Sequence, residues 1–354
     1  MAVKKMKDRL IKGMIVLTAL LLSAMICEYT GDRQEEKIRS AFYFITNDSI
    51  PVYHSVFYDR SGIPYVNYTT ENGITPGKQY NPTIVANRAI DLYQYLKQRK
   101  DSLQEQQFRH CIDWLAANMT NSNGYSFYRF HWQQPWYPSV KVPFTSGLSS
   151  GRAIEAFVDA QKLFPAENKL QYAKMLLKGF YFPIDSGGFT YKEKEGWWFE
   201  EFADTSKKTP RILDGHIYCI TGIREYFLFT KDDSASYLME QGLSSLKHHL
   251  REYDRGNGKV GYDIEQHIAD KKYHMILSGQ MKQLWEITND STFYRYYKKW
   301  NKPLQELYVY RIFKEKNRSG IVLYFFISIL LIIIISIGRI CLKNIFKNKD
   351  RVVK

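Results

Sequence analysis

Between Gly196 and Tyr226 the chain reads GWWFEEFADTSKKTPRILDGHIYCITGIREY, placing the tryptophans Trp197 and Trp198 and the glutamates Glu200 and Glu201 ahead of a polar loop and an apolar helix. Paired carboxylates can exchange protons with a substrate, and flat aromatic rings pack on the apolar faces of sugars. A helix starting near Leu213 puts Ile217, Ile220, Ile223 and Phe227 on one face, so Asp214 and His216 in its first turn look toward the loop. Unpaired amides at such a helix start favour an anionic ligand. Three further loops collect polar groups. PFTSGLSSGR ends on Arg152, which can hold a carboxylate in a bidentate contact or simply sit beside a glycine turn. YDRGNG leads to Gly261-Tyr262-Asp263 and His267, and Lys272-Tyr273-His274 starts a helix that carries Gln280 and Leu284. Each of these loops is a weak signal alone, because a tyrosine and an aspartate after a turn are more often structural.

The stretches between the loops read as helices. Tyr80-Asn81-Pro82 opens one, with Asn81 as N-cap, Pro82 at the first helical position, and Ile84, Ala89, Leu92, Tyr93 and Leu96 on the apolar face. A second runs from about Asp101 to Met119 over Leu103, Phe108, Cys111, Ile112, Leu115 and Ala116. The alternation of loop and helix recurs at 143–164, 169–180, 213–229, 234–251 and 275–300. It predicts a mainly α fold, an α/α-barrel or toroid of helical hairpins whose loops form a cleft at one end. Ahead of it, residues 52–80 mix aromatic and polar residues with Gly62, Pro64, Gly73, Pro76 and Gly77 and read as a short β-hairpin region, with Glu71-Asn72-Gly73 as a turn.

The two ends are of another kind. Lys4, Lys5, Lys7, Arg9 and Lys12 precede the apolar run from Met14 to Cys27, the layout of a signal anchor or signal peptide. Residues 321–337 are almost uninterruptedly apolar and are followed by Arg339, Lys343, Lys347, Lys349, Arg351 and Lys354, which predicts a transmembrane helix with a basic cytoplasmic tail. With an uncleaved anchor both termini are cytoplasmic and the body lies outside the cytoplasm. Of the formal net charge of +14, residues 1–27 carry +4 and residues 321–354 carry +5, so the body is only mildly basic. That weakens a nucleic-acid reading and suits a polyanionic glycan. Cys111 and Cys219 are the cysteines of the body, with no spacing that dictates a pair, and no residue group follows a metal-ligand pattern. The expected divisions are an anchor at 1–30, a spacer at 31–51, the hairpin region at 52–80, the barrel at 81–310, a membrane helix at 319–341 and a tail at 342–354.

The stretch beginning at Trp198 also resembles the C-terminal domain of the D-glucuronyl C5-epimerases, whose pattern runs W-Y-E-E-Y-P, a spacer, then L-N-G-x-x-Y-x-L-x-G-L-x-x-Y. Here stand Trp198, Phe199, Glu200, Glu201, Phe202 and Ala203, then Leu213, Asp214, Gly215, Tyr218, Ile220, Gly222, Ile223 and Tyr226. Tyr80-Asn81-Pro82 is similar to the family's Y-N-P, Tyr262-Asp263 to its I-Y-D, and Tyr273-His274 to its Y-H. The resemblance implies inversion at C5 of D-glucuronic acid units in a polysaccharide, giving L-iduronic acid without a cofactor. Tyr262, Tyr273, Glu200 and Glu201 then fall on catalytic positions, and Arg152, His216, His274, Trp198, Asn81 and Tyr80 are candidates for substrate binding. Removing a proton beside a carboxylate needs that carboxylate neutralised, and a tyrosine serves as a base only if its pKa is lowered by positive charge or hydrogen bonds.

Two positions depart from the family pattern. Phe202 stands where the family has a tyrosine and cannot exchange a proton, and Leu277 replaces a second histidine. A membrane-anchored protein that binds uronate glycans without turning them over therefore stays open, as does a lyase. The implied partners are a uronic-acid polysaccharide and the lipid bilayer, with no nucleic acid; the sequence leaves a homodimer open.

Overall fold

The computed structural model describes residues 2–46, 56–68, 70–122, 124–206 and 209–352. The start of the expected hairpin region at 52–55 and the end of the expected spacer at 47–51 lie outside the described residues. The chain divides into two compact units, one formed by 1–51 with 302–354 and the other by 52–301.

In the first unit a single helix, α1 (Ala2–Thr46), runs through the apolar segment and on through residues expected to be a spacer. The reason is a stripe at four-residue spacing. Ala19, Ser23, Cys27, Gly31 and Glu35 are all buried, so α1 keeps one face covered beyond its apolar part. Gly31 is where the Tyr308 ring lies, since a Cβ there would sit 2.6 Å from it. Glu35 accepts hydrogen bonds from Tyr308 Oη at 3.2 Å, Asn317 Nδ2 at 2.7 Å and Ser319 Oγ at 3.2 Å. Ser23 and Ser328 share a hydrogen bond of 2.9 Å. These contacts pair α1 antiparallel with the long C-terminal helix, so Asp8 and Arg339 meet at one end of the pair. Segments Lys5–Glu35 and Arg318–Leu342 are each long and apolar enough to cross a membrane.

The second unit begins with a three-stranded antiparallel sheet, β1 (Val56–Tyr58), β2 (Pro64–Tyr68) and β3 (Gly77–Gln79). Asn72 and Gly73 both take positive φ between β2 and β3, the turn geometry that the Asn-Gly pair predicts. Next come α2 (Pro82–Leu96) and α3 (Ser102–Ala117), then the short hairpin β4 (Thr120–Ser122) with β5 (Tyr125–Phe127). Strand β6 (Arg129–Phe130) pairs with β7 (Phe144–Thr145), which leads into α4 (Gly147–Leu163) and α5 (Leu170–Gly179). A second hairpin, β8 (Thr190–Glu193) with β9 (Gly196–Phe199), precedes α6 (Leu213–Thr230), α7 (Asp233–His249), α8 (Lys271–Thr288) and α9 (Ser291–Leu304). The stretch 275–300, read from sequence within one repeat, is thus two helices parted at Asn289, whose φ is positive. The first unit closes with α10 (Tyr308–Lys314) and α11 (Arg318–Val352).

The body is mainly helical, as expected. Helix α4 packs between α2 and α6, α6 also meets α8, and α3, α5 and α7 each pair with a member of that inner row. Glycines let α4 and α6 approach closely. A Cβ on Gly151 would lie 2.8 Å from Cys219 Cα, and one on Gly222 would lie 2.1 Å from the Gly151 carbonyl oxygen. The buried face of α2 holds Val85, Ala86, Ala89, Ile90, Leu92 and Tyr93; of the expected face, Ala89, Leu92 and Tyr93 are buried, while Ile84 and Leu96 are only half buried. Leu103, expected inside α3, is exposed. Cys111 and Cys219 are both buried and unpaired.

Candidate functional site

The Glu200–Ala203 backbone is fixed from three sides. Phe199 N donates to His216 Nδ1 at 3.0 Å, Glu200 N to the Phe189 carbonyl at 2.8 Å, and Gly147 N to the Glu200 carbonyl at 2.7 Å. Ala203 and Thr145 exchange both of their backbone hydrogen bonds. The two glutamates are therefore presented by a rigid segment, each to different neighbours. Glu200 is fully buried, with Oε1 accepting from Thr209 Oγ1 at 2.6 Å and Oε2 left unpartnered. Glu201 turns to the start of α6, where a Cβ on Gly215 would sit 2.6 Å from Glu201 Oε2. Glycine at 215 is what admits the carboxylate to that place.

Asp214, the residue before that glycine, is 5% exposed and was named from sequence only as facing the loop. Its Oδ1 and Glu201 Oε2 have no hydrogen-bond partner. Gln280 of α8 donates through Nε2 to the Asp214 carbonyl at 3.2 Å and keeps its Oε1 unpartnered. Such unpaired oxygens in a buried place are costly unless something else binds there. Burial pushes the Asp214 carboxyl up to about 7, against the lowering effect of the amides of Gly215 and Asp214 and of Lys272. Burial, then the charges of Asp214 and Glu200, push Glu201 well above the usual carboxylate range. Glu200 rises to about 8, mainly by burial, with Thr209 opposing. Carboxyls raised in this way keep protons toward neutral pH that ordinary carboxylates release.

Tyr262 and Tyr273 stand beside them with ring centroids 4.6 Å apart. The Tyr262 loop is anchored by its neighbour: Asp263 accepts from Tyr137 Oη at 2.6 Å and from the His267 amide at 3.1 Å, and lies 2.6 Å from His267 Nδ1. The Tyr262 carbonyl accepts from the first amide of α6, Leu213 N, at 3.0 Å. Tyr273 sits in the first turn of α8, which Asp270 caps. Contrary to the expectation of lowered tyrosine pKa values, both phenols are raised, first by burial and then by the charges of Glu201 and Asp214; the hydrogen bond with Tyr262 only partly offsets this at Tyr273. They are proton donors at neutral pH.

Of the other expected site residues, Asn81 reaches the group indirectly. Its Oδ1 caps α2 by accepting from Thr83 N, and its Nδ2 donates to Tyr68 Oη at 3.0 Å. Tyr68 feels the charge of Glu201 and is pushed up to about 12 by burial. The remaining five are each engaged by groups of the protein itself. Trp198 is fully buried, stacked on His216 at 4.0 Å and on Tyr253 at 5.8 Å. His216 accepts from Phe199 N, donates to the Gly242 carbonyl at 3.0 Å, and is held neutral as burial lowers its pKa to about 3. Arg152 pairs with Glu155 at 2.5 Å and donates to Asn87 Oδ1 at 2.7 Å. His274 Nε2 bonds the Trp300 carbonyl at 2.7 Å. Tyr80 donates to Asp59 Oδ2 at 3.0 Å and packs on Trp114. Sequence reasoning named Asp214 and Gln280 in the polar loop segments without giving either a role, and did not name Tyr68 or Tyr137. The one local signal for Asp214 was its place before a glycine at a helix start.

The sequence model of the D-glucuronyl C5-epimerase C-terminus matches residues 120–302. An uncharacterized protein, MJ1128 of Methanocaldococcus jannaschii, is 30% identical over 177 residues, 49% of this chain and 56% of the relative. The chain thus spans little more than half the length of that curated relative. Among solved structures, cellobiose 2-epimerase from Bacillus thermoamylovorans B4167 superposes with a TM-score of 0.52 at 10% identity, covering 82% of this chain and 74% of that one. That likeness speaks for the helical fold. The family match takes in Glu200, Glu201, Asp214, Tyr262 and Tyr273 together, and the chain belongs to the D-glucuronyl C5-epimerase C-terminus family, a family of sugar epimerases.

Proposed function

We propose that this chain inverts C5 of D-glucuronic acid units within a polysaccharide, giving L-iduronic acid by removal and return of the C5 proton. The observation that supports it best is the juxtaposition of the buried Glu201 and Asp214, each with an unpartnered oxygen, and the tyrosines Tyr262 and Tyr273. C5–H is acidified by the adjacent carboxyl group, and breaking it moves an electron pair into that group. Buried acids that stay protonated at neutral pH can donate hydrogen bonds to the sugar's carboxylate as its charge grows, which is the neutralisation that the enolate needs. Tyr262 and Tyr273, both protonated, are suited to returning a proton to C5.

The test is incubation of the full-length protein in detergent with an unsulfated glucuronic-acid polymer in deuterated water, reading deuterium at C5 and the iduronate signals by NMR. Deuterium together with iduronate is expected, and Tyr262→Phe or Tyr273→Phe should each cut it by about 10²-fold or more. Unchanged product in both variants would remove the tyrosines from the mechanism.

A second reading draws on Phe202, whose ring packs 5.6 Å from both Tyr137 and Phe144 and offers no proton. Under it the chain is a membrane-anchored glycan-binding protein. Binding of the polymer with no exchange at C5 would favour that reading, and an unsaturated-uronate chromophore would point to a lyase. In either case the terminal helix pair is proposed to cross the membrane, with both basic ends on the cytoplasmic side.

A further inference from the structure

We propose that Asp214 and Glu201 work as one proton-sharing carboxyl pair, and that this pair performs in this chain the proton exchange for which Phe202 has no group. The inference rests on the epimerase reading above. Both side chains are at least nine-tenths buried, and the oxygens left without partners are one from each, Asp214 Oδ1 and Glu201 Oε2. Gly215 removes the only side-chain atom that would keep the Glu201 carboxylate off the start of α6. The groups whose charges act on the pair or feel it are almost all acids: Glu200, Tyr68, Tyr137, Tyr218, Cys219, Tyr262 and Tyr273, with Lys272 as the cation. Two full negative charges are not sustained there, so the pair holds one proton between them.

A carboxyl pair with one proton has an oxygen that accepts and an oxygen that donates. Burial keeps the phenols protonated, so the accepting oxygen of the pair is the group we assign to take the proton. As the C5–H bond breaks, its proton forms an O–H bond on the pair and its electron pair enters the sugar's carboxyl group. A tyrosine O–H then breaks as a new C5–H bond forms on the other face. The phenolate regains a proton from water and the pair returns one, so nothing is consumed. In the family pattern position 202 is tyrosine and position 214 is asparagine, which cannot hold this proton. Here the phenol is missing and a carboxyl stands at 214.

The experiment is C5 deuterium exchange on the full-length protein in detergent, across pH 5–9, for Asp214→Asn, Phe202→Tyr and the double variant. Asp214→Asn should lower exchange by about 10²-fold or more and erase the rise in rate near pH 7, and adding Phe202→Tyr should recover about tenfold. Exchange within threefold of the parent in Asp214→Asn, or no recovery in the double variant, overturns the proposal. Should the parent exchange no deuterium on any uronate polymer, the epimerase reading fails first, and the pair is judged separately by infrared titration of its protonated-carboxyl band. That band should titrate at least one pH unit lower in Asp214→Asn, and an unmoved midpoint shows that the two carboxyls do not share a proton. If Asp214→Asn does not fold, Glu201→Gln removes the other half of the pair and is read in the same way.

Discussion

Replacing Asp214 by asparagine should make the protein more stable at pH 8 while lowering the proposed C5 exchange, and the size of the gain follows from the site. Burial carries the Asp214 carboxyl from 3.8 to about 7. Each unit of such a shift is worth about 1.4 kcal/mol, so the ionised carboxylate opposes folding by up to about 4 kcal/mol. The sign depends on pH. Below 3.8 the group is protonated in both the folded and unfolded chains and contributes nothing. As pH rises toward 7 the unfolded chain releases the proton that the folded chain retains, and stability falls; above about 7 the loss is complete. Asparagine keeps an oxygen for the amides of Asp214 and Gly215 and cannot ionise. The difference between variant and parent should thus grow from near zero at pH 4 to about 2–4 kcal/mol at pH 8, a shift in melting temperature of roughly 5–15 °C for a body of this size. Thermal melts of both full-length proteins in detergent, run from pH 4 to 8, read it directly. A variant less stable than the parent at pH 8, or a difference independent of pH, would refute the burial and pairing of this carboxylate. A stabilising change that abolishes exchange is the trade-off expected of a strained active site.

The remaining predictions concern packing and the terminal helices. Gly222→Ala pushes a methyl to 2.1 Å from the Gly151 carbonyl and should destabilise the body by about 3 kcal/mol or more, seen as a large drop in melting temperature or loss of folded protein. Arg152→Ala leaves the half-buried Glu155 without its ion-pair partner and should cost about 1–2 kcal/mol of stability, while polymer KM stays unchanged; a rise in KM with unchanged stability would assign Arg152 to the substrate. Cysteines at 23 and 328, whose native hydroxyls lie 2.9 Å apart, should cross-link within one chain in membranes, and mass spectrometry of that product should show the N-terminal helix retained. Absence of the cross-link, or a mature chain lacking residue 23, would separate the two helices.

Local chemistry was legible in the sequence wherever a few neighbouring residues decide the outcome. Asn81-Pro82 starts α2 because one caps and the other fixes φ, and Asn72-Gly73 turns because both accept positive φ. Ile217, Ile220 and Ile223 are buried on α6 as their spacing requires. Residue type alone does not say which neighbours a side chain will meet. α1 runs on to Thr46 through residues 31–46, where Glu35 finds three donors 273 to 284 positions away. Trp198, His216 and Arg152 have the side chains of a sugar site, and stacking, backbone bonds and a half-buried ion pair engage them within the protein. The adjacent glutamates show the same limit most sharply. They are identical in type and one position apart, but Glu200 is hydrogen-bonded by Thr209 while Glu201 lies against Gly215 and feels the charge of Asp214. What each carboxylate meets is therefore set by what α6 places opposite it, and Asp214 comes to Glu201 through the fold rather than through its position in the chain.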